Sequence, residues 1–116
     1  MKFSVRNQTR GTMLGGSVAS ADTSRDRRKG LLGREGLEAG EGLWIVPCEA
    51  VHTFFMKFPI DVLYLDRKRR VRKTVRGLAP WRLSACLPAH SVLELAVGEV
   101  ERSMTAVGDQ LEFRTV

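Results

Sequence analysis

A chain of 116 residues, 43% hydrophobic and 28% charged with only four prolines, is long enough for one domain with its own core and too apolar for a disordered segment. Its apolar runs fall short of the roughly 18 residues that cross a bilayer, and Arg6 and Arg10 interrupt any leader-like start, which points to the cytoplasm. The net charge of +6 resides in one segment: Asp66 to Arg76, DRKRRVRKTVR, holds seven bases and one acid, and the other 105 residues balance twelve bases against twelve acids.

In chain order, Phe3 and Val5, the turn-forming Asn7-Gln8-Thr9-Arg10-Gly11, and Thr12-Met13-Leu14 predict strand, turn and strand. Ser17 to Ala21 is a weaker strand. Asp22-Thr23-Ser24 offers N-cap oxygens to a short helix over Arg25 to Leu32 that ends at Gly33, although Gly30 inside it is unfavourable. An acidic, glycine-rich loop over Glu35 to Gly42 leads to a buried strand, Leu43 to Val46, stopped by Pro47.

The next fifteen residues, Pro47 to Asp61, contain Cys48, Glu49, His52 and Asp61, and three of the chain's five phenylalanines fall between His52 and Pro59. Asp61 to Leu65 then reads as a strand apolar on both faces, hence central in its sheet. The basic run makes a turn and Val71 to Val75 returns, with Val71, Lys73 and Val75 on one face. Gly77 to Leu87 reads as a loop. Ser91 to Val97 alternates, with Leu93, Leu95 and Val97 on one side, and Gly108-Asp109 turns into a last strand over Leu111 to Arg114. The expectation is an α+β, mostly β fold: a small antiparallel barrel or curled sheet of about seven or eight strands with one or two short helices, forming a single domain over residues 1–116.

Five stretches in order resemble a family of bacterial and archaeal proteins, the domain of unknown function 192: Arg27-Arg28-Lys29-Gly30-Leu31-Leu32-Gly33-Arg34, Gly42-Leu43-Trp44-Ile45, His52 to Asp61, Ser91 to Gly98, and Val107-Gly108-Asp109. This chain has His52-Thr53-Phe54-Phe55-Met56 where the commoner family pattern is Trp-Met-x-Asn-Thr, so no role of that Trp or Asn transfers. The resemblance implies a β-rich single domain and supplies no activity.

Asp61 shares a strand face with Leu63 and Leu65, so its carboxylate is expected to point into apolar surroundings and to need a partner. Arg34, at the family's helix-end arginine position, is the candidate. The structural alternative is an Asp–Arg clamp or an Asp accepting backbone N–H groups at the Pro59 turn. Glu94 lies with Val92 and Ala96 on one face of its strand, either solvated or converging with Asp61 as an acid–base pair. Cys48 and His52 are neighbours on a helical turn but about 13 Å apart on a strand, and only the former permits a nucleophilic pair. Cys48 and Cys86 read as free thiols. Cys48, Glu49, His52 and His90 lack the tight spacing of a zinc site, so neither metal nor cofactor is expected.

Three functions follow as expectations. The first is a non-catalytic module that binds a small ligand or protein through the hinge from Cys48 to Asp61, using His52, Phe55, Phe58, Asp61, Arg34 and Trp81. The second is a small hydrolase or transferase with Asp61, Glu94, His52 or Cys48 in its site. The third is nucleic-acid binding through Arg67, Lys68, Arg69, Arg70, Arg72, Lys73 and Arg76, where the solvated alternative is a charged turn protecting a strand edge.

Overall fold

The computed structural model describes all of residues 1–116. Its strands are β1 (Lys2–Asn7), β2 (Thr12–Ala21), β3 (Glu41–Ile45), β4 (Ala50–His52), β5 (Ile60–Leu65), β6 (Val71–Leu78), β7 (Leu83–Ala85), β8 (Ser91–Leu95) and β9 (Leu111–Thr115). Two short helices, α1 (Ser24–Lys29) and α2 (Glu99–Arg102), complete it. Seven strands form one curled sheet in the order β6-β5-β8-β3-β2-β1-β9, and β4 pairs with β7 as a separate ribbon. The fold is thus mostly β, as the sequence suggests, with more strands than the seven or eight expected.

One junction is parallel. β2 runs alongside β3 in register Ser17↔Glu41 to Ala21↔Ile45, and a parallel neighbour needs a crossover. α1 and residues 30–40 supply it. Thr23 caps α1 by accepting from the Asp26 N–H, and Gly30, at φ +50°, ends it. The helix therefore stops short of the predicted Leu32, and Leu31 is buried against the sheet without being helical.

β5 and β8 are buried at every residue, Asp61, Ser91 and Glu94 included, as central strands covered on both faces are. Because side chains alternate, they feed two cores. On the concave side Leu63, Leu65, Leu93 and Leu95 pack with Val5, Leu14, Val18 and Trp44. On the other side Val62, Tyr64 and Val92 pack with Leu31, Val51, Met56 and Ile60.

Register shifts place β6 differently from the simple alternation. Leu65 faces Val71 and Tyr64 faces Lys73, so one extra residue sits between those pairs. Val71 consequently joins the concave core while Val75 packs on the opposite one, correcting the expectation that they share a face. A second shift, between the Ile60↔Leu78 and Val62↔Val75 pairs, accommodates Gly77 at φ +62°. The predicted loop over Gly77 to Leu87 instead contains the end of β6 and all of β7.

The two edge strands meet at one end. Val71 N–H donates to the Asp109 carbonyl at 2.9 Å, Gly108 N–H to the Val71 carbonyl at 2.8 Å, and Leu111 N–H to the Arg69 carbonyl at 3.1 Å. This latch turns the sheet into a half-barrel. No helix is long and apolar enough to cross a membrane.

Candidate binding site

Glu94 is where the fold and the chemistry diverge. It lies mid-sheet, opposite Leu43 on β3 and Val62 on β5, and points to the side away from the concave core. Only 4% of the residue is exposed, and burial pushes its carboxyl up to about 7, with no hydrogen bond or ion pair to offset that rise. Beside it Tyr64 is fully buried, and its hydroxyl lacks a hydrogen-bond partner. Burial also raises the phenol; the nearby Ser84 hydroxyl offsets part of that shift without closing a bond.

Above Glu94 is a cavity of about 180 Å³. Leu31, Ile45, Val51 and Met56 give it apolar walls, Cys48 and His52 lie on one side, and the last turn of α1 lies on another. The Cys48 thiol is half-buried and donates to the Ala50 carbonyl at 3.1 Å. Burial raises it, with Glu94 adding to the effect and the Ala50 hydrogen bond and Arg27 opposing it. A raised thiol is a weak nucleophile at neutral pH. Cys86 is likewise a free, half-buried thiol.

The segment leaving this cavity is not the continuous strand its aromatic spacing allows. After β4 it becomes a loop whose anchor is Thr53, fully buried, with its hydroxyl on the Ala79 carbonyl at 2.6 Å and accepting the Arg82 N–H at 2.9 Å. The Trp81 N–H in turn donates to the Thr53 carbonyl at 3.0 Å. The knot holds Phe55 and Trp81 in the left-handed region, each at φ +66°, which is unusual for bulky residues. Phe55 is 72% exposed, Trp81 55% and Leu83 72%. The Phe55 and Trp81 rings lie 4.6 Å apart, and Phe54 bridges Trp81 at 5.8 Å to His52 at 5.0 Å. An aromatic ledge therefore runs from the cavity mouth into solvent. Met56 and Phe58 turn inward to the core.

Asp61 lies on the opposite side of the sheet from Glu94 and 1% exposed. Its partners are backbone groups and not Arg34: Oδ1 accepts from the Gly77 N–H at 2.9 Å, and Oδ2 from the Gly98 and Val100 N–H groups at 3.1 and 3.0 Å. Gly98 offers α2 no side-chain cap, and Asp61 supplies one from across the fold. Arg34 is exposed, on the other side of the sheet beside Gly42 and Leu43. Asp61 and Glu94 thus share no pocket, whereas Glu94, Cys48 and His52 share one. His90 lines a different recess, with Asp66 to Lys68, although its carbonyl accepts the Cys48 N–H at 2.9 Å, and no group of three or more His, Cys, Asp and Glu side chains is placed to hold a metal.

The basic hairpin is partly occupied by its own structure. Arg69, at φ +64°, spreads over Trp44 at 4.9 Å and Phe113 at 5.2 Å. Lys73 lies over Tyr64 at 5.6 Å and donates to the Ala85 carbonyl at 2.8 Å. Asp66 accepts from the Lys68 and Arg70 N–H groups and stands 3.8 Å from Arg72. Every base of the hairpin except Lys73 is nonetheless exposed.

Sequence reasoning did not single out Thr53, Tyr64 or Arg27 as parts of this region. Tyr64 carried a signal, a hydroxyl among the apolar residues Val62, Leu63 and Leu65, and Arg27 stood at the head of the first family-like stretch.

Comparison with known proteins agrees with this architecture. The family model described as uncharacterised ACR, domain of unknown function 192, matches residues 5–113. A UPF0127 protein of Thermococcus sibiricus is 31% identical over 113 residues, covering 92% of this chain and 72% of the relative. A UPF0127 protein of Pyrococcus abyssi is 33% identical over 116 residues, covering 94% and 96%. Among solved structures, a protein of unknown function from Novosphingobium aromaticivorans superposes with a TM-score of 0.80 at 23% identity, over 97% of this chain and 84% of that one. A Sinorhizobium meliloti protein, provisionally classed as a transcription regulator, gives 0.83 at 22% identity over 97% and 92%. At such identity the likeness is one of fold alone.

Proposed function

The chain belongs to the domain of unknown function 192 family, and from that premise we propose that it is a non-catalytic recognition module. Its binding site is the cavity over Glu94 together with the aromatic ledge of the hinge from Cys48 to Asp61. The observation that carries this reading is Glu94 itself. A buried carboxyl with no internal partner costs several kcal/mol when ionised, and a donor brought by a ligand would offset that cost. The cavity is below the roughly 300 Å³ of drug-sized pockets and matches about six waters, so it suits a small molecule or one side chain of a protein. The ledge would hold whatever extends beyond it. Residues 1–116 act as one domain, in the cytoplasm, where Cys48 and Cys86 stay reduced.

A fragment titration followed by amide NMR tests this: shifts are expected to cluster at Cys48, His52, Met56 and Glu94. Shifts scattered over the surface overturn it.

One observation favours a small hydrolase or transferase as the second reading: Glu94, poised near neutrality, shares its cavity with Cys48 and His52. The raised thiol argues against it. Slow iodoacetamide alkylation of Cys48 at pH 7 is expected for the recognition module, and fast alkylation would favour the enzyme. Nucleic-acid binding ranks lower, since Arg69 and Lys73 are engaged within the fold.

A further inference from the structure

The cavity has a charged rim as well as an acidic floor. Arg27, Arg28 and Lys29 line it, and none stands within ion-pair distance of a carboxylate. Arg27 is held by neutral acceptors, the Asp22 carbonyl at 2.8 Å, the Ser24 hydroxyl at 3.3 Å and the Val46 carbonyl at 3.5 Å. Glu94 and Arg27 both act on the Cys48 thiol, with opposite sign, yet they do not pair with each other. Two opposite charges thus face one small apolar chamber without meeting.

We propose that the occupant of this cavity is a small zwitterion. Its ammonium group sits against Glu94, its aliphatic stem runs along Leu31, Ile45, Val51 and Met56, and its acidic group remains at the rim with Arg27, Arg28 and Lys29. The inference rests on the reading of the cavity as a binding site and narrows it. A plain amine must pass three bases to reach Glu94 and leaves them unpaired. A plain acid meets the rim but places nothing useful on the floor. Only a molecule carrying both charges, separated by an apolar stem, complements both ends.

The test uses the full chain in low salt at pH 7.5, titrated with 4-aminobutyrate, 5-aminopentanoate and 6-aminohexanoate. The single-ended controls are pentylamine and pentanoate, with 1-pentanol as a neutral probe, and calorimetry and amide NMR are the readouts. One ω-amino acid is expected to bind at least tenfold more tightly than either single-ended control, with shifts at Cys48, Met56 and Glu94. Glu94→Gln and Arg28→Glu should each remove most of that advantage; Arg28 is exposed, so its variant keeps the fold if removing Glu94 does not. Pentylamine binding as tightly as every ω-amino acid would overturn the zwitterion while leaving the cavity a binding site. If none of the six probes shifts the cavity amides, both readings fall.

Discussion

On the concave side of the sheet Asp61 receives three backbone N–H donors, while on the other side Glu94, one strand away, receives none. Asp109, packed beside the latch, resembles Asp61. Burial alone would raise it, but hydrogen bonds from Arg10, Asn7 and the Ala106 N–H outweigh that and hold its carboxyl below the usual range. Glu99 on α2 has Arg102, at 2.9 Å from its Nε. The concave side therefore commits its carboxylates to holding the fold together. The other side keeps one carboxyl uncommitted beneath an opening. Burial alone does not distinguish a structural acid from an available one; the partner set does.

Breaking the committed side should have the largest effect. Asp61→Ala leaves the Gly77, Gly98 and Val100 N–H groups without their acceptor and uncaps α2. A loss of about 3–5 kcal/mol is expected in denaturant unfolding; a loss below about 1 kcal/mol would mean that water replaces the carboxylate at no cost.

Glu94→Gln should act in the opposite sense and depend on pH. The carboxyl is raised from 4.5 to about 7 by burial, so between those values the native state keeps a proton that the unfolded chain has released. Stability of the natural protein should then fall as pH rises through that window, by up to about 3 kcal/mol. The Gln variant lacks this slope and should gain on the natural protein between pH 4 and pH 8. Unfolding curves at the two pH values decide it, and parallel pH profiles for both proteins would show Glu94 to be solvated.

The smallest effect belongs to the surface of the concave side. Arg69→Ala removes the guanidinium from Trp44 and Phe113, and about 1 kcal/mol should be lost. A change in Trp44 fluorescence would accompany it, and an unaltered spectrum would show that the stacking is not populated.

The contrast was only partly legible in the sequence. β5 announced itself as an apolar run and β8 as an alternating one, and alternation correctly placed Asp61 with Leu63 and Leu65 and Glu94 with Val92. The two acids were not seen to face apart, because their relative facing depends on strand register. Asp61's partners are backbone groups at residues 77, 98 and 100, which no side-chain pattern reports. β4 and β7 escaped as strands because they are three residues each and largely exposed. Gly15 and Gly16 obscured the continuity of β2. Phe54 to Phe58 has strand-like spacing, but the hydroxyl of Thr53 ties it to residues 79 and 82, a tertiary contact that overrides local preference.

That tie has an energetic corollary. Backbone angles at Phe55 and Trp81 are ones that glycine adopts freely and that cost other residues on the order of 1–2 kcal/mol each. Both positions carry large rings, held outward in water, so neither hydrophobic burial nor easy chain geometry accounts for them. The molecule bears a standing local tension at its aromatic ledge, held in place by the hydrogen bonds of Thr53 to residues 79, 81 and 82.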